Sequence, residues 1–177
     1  ATSITLNSKG AATTGGLLTK SDVTKLNLMG AYTQDNYHVS ATYTSQRNGF
    51  TAYPYYSTGN VSQGHDMDGW ALRAWWRPDE EGTAVPSISV GFDTVSFSGS
   101  TGFQNGEGYT IAFNWSDMFQ ADDTIGVALG QPIKGTDHKT SGTVDTDPFL
   151  WEIYYSFKPN DSIEITPAIF GSSDSVS

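Results

Sequence analysis

The chain has 177 residues, with 19 acidic side chains against 9 Lys plus Arg and a formal charge of −10, a balance that argues against nucleic acid, other polyphosphates and anionic lipid surfaces as partners. It has no cysteine, which excludes disulfides, thiolate nucleophiles and thiolate metal sites. No apolar run reaches the roughly 18 to 20 residues of a spanning helix, yet 5 Trp, 9 Tyr and 9 Phe accompany a negative mean hydropathy.

Such aromatics belong in a sandwich core, on a sugar-binding surface or in the interfacial girdles of a membrane barrel. The start, Ala1-Thr2-Ser3, has neither the basic nor the apolar region of a signal peptide, as expected of a mature or trimmed chain. Period-2 alternation recurs and helical periodicity does not, so the chain is predicted to be all-β.

In chain order the pattern predicts a weak strand over 3–7, then strands over 25–33, 37–44, 69–77, 87–95, 109–116, 124–133, 149–158 and 162–170. In the strand 37–44, Tyr37, Val39, Ala41 and Tyr43 share one face, and His38, Ser40, Thr42 and Thr44 share the other. In 69–77, Trp70, Leu72, Ala74 and Trp76 oppose Ala71, Arg73, Trp75 and Arg77. The same division gives apolar sets of Ile88, Val90 and Phe92, then Tyr109, Ile111, Phe113 and Trp115, then Ile125, Val127 and Leu129. Phe149, Trp151, Ile153, Tyr155 and Phe157 form the next set, and Ile163, Ile165, Pro167 and Ile169 the last.

One apolar face per strand fits a soluble sandwich as well as a barrel, and the connections decide between them. Short turns at 34–36, 78–85, 117–123 and 159–161 alternate with long Gly/Ser/Thr/Asp-rich loops at 9–22, 45–68, 96–108 and 134–148. An up-and-down meander with its two ends on opposite sides of a membrane explains that alternation, and Greek-key crossings do not. Strand lengths match the roughly 9 to 11 residues a tilted strand needs to cross the hydrocarbon. Aromatics of the apolar parity cluster at strand ends, with Tyr32, Tyr37, Trp76, Trp115 and Phe157 toward the short turns and Tyr43, Trp70, Tyr109 and Phe149 toward the long loops.

From Gly69-Trp70 to Ala168-Ile169-Phe170 the chain resembles the barrel of cyanobacterial members of the carbohydrate-selective porin family, an outer-membrane group often called iron-uptake porins. The resemblance rests on Leu72-Arg73-Ala74-Trp75-Trp76-Arg77-Pro78-Asp79-Glu80, Phe113-Asn114-Trp115-Ser116-Asp117-Met118-Phe119 and Ile125-Gly126-Val127-Ala128-Leu129-Gly130-Gln131-Pro132. It rests further on Trp151-Glu152-Ile153-Tyr154-Tyr155-Ser156-Phe157-Lys158-Pro159-Asn160-Asp161-Ser162, followed by Ile165-Thr166-Pro167, and is specific in the last two of these blocks.

The resemblance implies an antiparallel up-and-down transmembrane β-barrel of about 16 to 18 strands, of which about nine are present. Residues 1–177 are then one barrel segment, expected to be truncated at both ends. Members also carry a surface-layer-homology domain, a coiled coil and a final aromatic-ended strand, and none of these is visible in this sequence. The function implied is passive diffusion of small hydrophilic solutes and inorganic ions across the bacterial outer membrane. Its surroundings would be outer-membrane lipid and lipopolysaccharide, and its assembly, by analogy, a homotrimer; the resemblance implies no cofactor.

In such a pore the polar parity is the working surface, and its charged residues are Lys25, His38, Arg73, Arg77, Asp93, Glu152, Lys158 and Glu164. Charge in hydrocarbon is expensive, so its confinement to one parity favours a wet interior. Arg73 and Arg77, on one side of one strand, are candidates for an eyelet, or else solvated arginines near a mouth. The alternative for all eight is that they pair across neighbouring strands and close the interior.

The long loops carry Asp66, Asp68, Glu107, Asp137, Asp145 and Asp147, which would enrich cations at the mouth. His65-Asp66-Met67-Asp68 and Asp145-Thr146-Asp147 lack the ligand count of a defined metal site, and no metal is expected. Phe50, Tyr53, Tyr55 and Tyr56 around Pro54 suggest a self-packing loop, or a sugar platform if the chain is instead a secreted soluble β-sandwich that binds carbohydrate. With His38, His65 and His138 scattered, no nucleophile elbow and only Glu80-Glu81 in a turn as paired acids, nothing points to an enzyme.

Overall fold

The computed structural model describes residues 2–9, 23–47, 66–98, 103–138 and 147–173. They form β1 (Thr2–Lys9), β2 (Val23–Thr33), β3 (Tyr37–Arg47), β4 (Asp66–Trp76), β5 (Ser87–Ser98), β6 (Phe103–Ser116), β7 (Thr124–His138), β8 (Phe149–Asn160), β9 (Ile163–Ile165) and β10 (Ala168–Ser173), with no helix among the described residues. From β1 to β8 each strand pairs antiparallel with the next in one meandering sheet, and β9 and β10 both pair with β8. No second sheet covers either face among the described residues, which counts against the sandwich.

β9 and β10 continue one strand, because Ile165 opposite Phe157 and Ala168 opposite Tyr154 lie in the same register. Pro167 creases it. A proline cannot donate to the ladder, and what remains is a single bond in which the Tyr155 N–H donates to the Pro167 carbonyl at 3.1 Å. Among the described residues β1 and β10 do not pair with each other, so the sheet is open.

The expected elements are all present, but the strands run further into the long-loop end than the alternation predicts. β3 continues to Arg47, β4 begins at Asp66, β5 continues to Ser98, β6 begins at Phe103 and β7 reaches His138. The cause is an exchange of faces at that end. Val95 and Phe97 carry apolar side chains on the otherwise polar face, so a rule of one apolar parity ends each strand too early.

Part of this exchange is built by a bulge. Glu107 pairs with Lys134 but Tyr109 with Gln131, so Pro132 and Ile133 together oppose Gly108. Proline is tolerated at such a site because no ladder bond is asked of it. A Cβ at Gly108 would stand 2.9 Å from the Ile133 nitrogen and 3.0 Å from the Gln131 carbonyl oxygen, which explains the glycine. The slip carries Ile133 to the polar face, where it packs against Met67, Val95 and Phe97, the buried apolar cluster of the described residues.

Candidate channel wall

Directly opposed residues in antiparallel strands share a face, so the register sorts the side chains. One row runs Tyr32, Val39, Ala74, Val90, Ile111, Leu129, Trp151; the next contains Tyr37, Trp76, Ile88, Phe113, Val127, Ile153, Ile169. On this apolar face Trp70 is 51% exposed, Leu72 47%, Val90 44% and Ile153 49%. Large hydrophobics that meet solvent along a whole sheet face are not a water-soluble core. Trp70, Trp76, Trp115 and Trp151 all lie on this face.

The opposite face carries Thr33, His38, Trp75, Ser89, Ala112, Ala128, Glu152 and Phe170 along one row. The next holds Ala31, Ser40, Arg73, Gly91, Thr110, Gly130 and Leu150. All the charged residues of the sequence-derived set that lie within strands fall on this polar face, and Arg77 follows directly on β4.

Arg73 and Asp93 are brought together. Both Asp93 oxygens accept from Arg73 Nη2 at 2.8 Å, while Nη1 donates to the Leu72 and Phe92 carbonyls at 2.8 and 3.1 Å. The side chain lies over Gly91, where a Cβ would come 3.2 Å from Arg73 Cδ. Arg77 does not extend this arginine into a ladder. Its Nε and Nη2 donate to the Asp35 carbonyl at 2.9 and 2.7 Å, bracing the 34–36 turn, and its guanidinium sits 5.6 Å from the Trp75 ring. His38 lies parallel to Trp75 with centroids 6.0 Å apart, and its Nδ1 is 2.8 Å from Thr33 Oγ1.

Across the sheet, Ser156 Oγ donates to Glu164 Oε1 at 2.6 Å and Thr166 Oγ1 to Ser156 Oγ at 2.9 Å. Tyr154 spans Gly126, whose missing Cβ makes room for the ring, and donates to Asn114 Oδ1 at 2.8 Å. Lys25, Glu152 and Lys158 are exposed. The sequence reading passed over Tyr154 and Phe170 as parts of this wall, although their parity alone marks them.

The acids expected at the mouth have different surroundings. Asp68 lies within β4 on the apolar parity, bound by Arg47 through two bonds of 3.0 Å and by the Tyr43 hydroxyl at 2.7 Å. Asp147 pairs with Lys134, and past the bulge Glu107 and Lys134 oppose each other on the apolar parity. The apolar parity therefore turns polar at the long-loop end, beyond Tyr43 and Trp70. Asp66 is partly buried at the start of β4, while Phe50, Tyr53, Tyr55, Tyr56, His65 and Asp145 lie outside the described residues. Among the described residues no three His, Asp or Glu gather as a metal site.

At the short-turn end, the 117–123 turn closes on one carboxylate. Asp123, 1% exposed, accepts from the amides of Met118, Phe119 and Gln120 at 2.8, 3.0 and 3.1 Å and from the Tyr155 hydroxyl at 3.0 Å. Burial raises its pKa, but the donors aimed at its charge outweigh this and hold it below the ordinary carboxylate value.

Residues 2–170 match the profile of the carbohydrate-selective porin, OprB family. No curated protein and no solved structure matches.

Proposed function

We propose, from the premise that this chain belongs to the carbohydrate-selective porin, OprB family, that it walls a passive outer-membrane channel for small hydrophilic solutes, carbohydrates among them, and inorganic ions. The family is one of channels and not of enzymes. The observation that carries the reading is the two-faced sheet: a continuous apolar face left exposed, opposite a face of hydroxyls, small residues and charges. In a bilayer the first face meets lipid and the second meets water.

In this reading Lys25, His38, Arg73, Arg77, Asp93, Glu152, Lys158 and Glu164 line the lumen. The polar rim of Arg47, Asp68, Glu107 and Lys134 lies at headgroup level, against lipopolysaccharide. Because Asp68, Asp93 and Asp147 are ion-paired, they put little field across the mouth, and we assign selection mainly to size and hydrogen bonding, with a mild cation preference. A homotrimer and a place in the cyanobacterial iron-uptake branch complete the proposal.

The test is reconstitution of the protein. Stepwise conductance in planar bilayers, together with liposome swelling that slows as the sugar grows larger, is expected. Absence of both would overturn the reading.

A further inference from the structure

Arg73 stands within β4 on the polar face, between Leu72 and Ala74 and so level with the apolar band that Trp70 and Trp76 bound. At that height a bare charge acts most strongly on an ion in passage, because the apolar side of the wall offers no water to screen it. Arg73 is not bare. It lies along the sheet, with the carboxylate of its diagonal neighbour Asp93 on β5 at its tip, and its Nη1 bonds to carbonyls of both strands hold it down.

Gly91 makes this possible. It is the direct partner of Arg73 on one side and of Thr110 on the other, and it is buried in the middle of the wall beneath the arginine laid across it. A Cβ there would meet Arg73 Cδ at 3.2 Å, Arg73 Nε at 3.3 Å and Thr110 Oγ1 at 2.7 Å. These are side-chain atoms that can swing away, so a side chain at position 91 would lift the arginine off the wall and leave the backbone in place.

Stability does not explain the arrangement. The Arg73 side chain is 48% exposed and that of Asp93 27%, and an ion pair so open to water adds little to folding. Glycine inside a strand weakens it. Arg77, by contrast, is spent on the 34–36 turn past the end of the strand.

We propose that Gly91 is a positioning residue for ion selection: by letting Arg73 lie against the wall and reach Asp93, it withholds from the passage a positive charge that would turn the channel toward anions. This rests on the channel reading above and deepens it, since an uncharged residue becomes a determinant of the cation preference.

Reversal potentials across planar bilayers bathed in unequal KCl give the ratio of K+ to Cl− permeability. Gly91→Val adds no charge and suits a strand. It should lower the ratio about twofold, the size expected when one unit charge comes within roughly 10 Å of an ion in water. The shift should shrink in about 1 M KCl, where the screening length is about 3 Å. Gly91→Ala, a smaller intrusion, should move the ratio the same way by less, and it carries the test if the valine variant does not fold. In an Arg73→Gln background neither substitution should move the ratio. An unchanged ratio in the folded Gly91 variants, or an equal shift with and without Arg73, would overturn the proposal and leave the channel standing. A wild type that does not conduct would overturn the channel reading and this proposal with it.

Discussion

Gly126 does its work by what it lacks. The Tyr154 ring occupies the space a Cβ would take, and from there its hydroxyl reaches Asn114 two strands away. Gly126→Ala must displace the ring or the backbone, and overpacking of this kind costs about 1–3 kcal/mol. Gly30→Ala is the matched control, since nothing stands within 4 Å of its added methyl, and it should stay within about 0.5 kcal/mol of wild type. Denaturant titration of the folded protein in detergent measures both. Sequence alone does not reach this level. Parity places Tyr154 and Gly126 on one face, but only the register makes them neighbours, and the same holds for Arg73 and Asp93, whose pairing depends on a diagonal across two strands.

The 117–123 turn shows why short connections can be as ordered as strands. Asp117 and Asp122 sit at φ 56° and 63°, conformations that Asp tolerates better than most residues, and the Asp123 carboxylate gathers three successive amides that no ladder would satisfy. Its folded-state pKa is depressed, so its contribution is complete above the unfolded value of about 3.9 and is lost as pH falls through the folded one. Asp123→Asn should therefore lower stability at neutral pH and flatten the decline below about pH 4; denaturant midpoints taken between about pH 2 and 6 check this. The strands themselves are legible because a half-exposed sheet imposes period 2 on composition. Their far ends are not, because Val95, Phe97 and Ile133 invert the pattern where the wall leaves the apolar band.

For the whole molecule the division into two faces was readable from residues such as Trp70, Leu72 and Ile153, whose parity and exposure agree. It makes neighbouring positions behave oppositely. Val90→Lys puts an ammonium on the apolar face and should cost about 2–4 kcal/mol of folding into lipid vesicles if it lies near the midplane. Ser89→Lys, one residue away on the polar face, should fold as wild type does, and folding yield against denaturant in vesicles separates the two. What the pattern concealed is the one-residue slip opposite Gly108. Before it, odd-numbered positions of β7 lie on the apolar face; just after it, at Ile133 and Gly135, they lie on the polar one. The far end of β7 can thus be recomposed without disturbing the apolar face before it, and straightening the slip with both residues kept would repaint that end, sending Lys134 to the polar face and Ile133 to the apolar one.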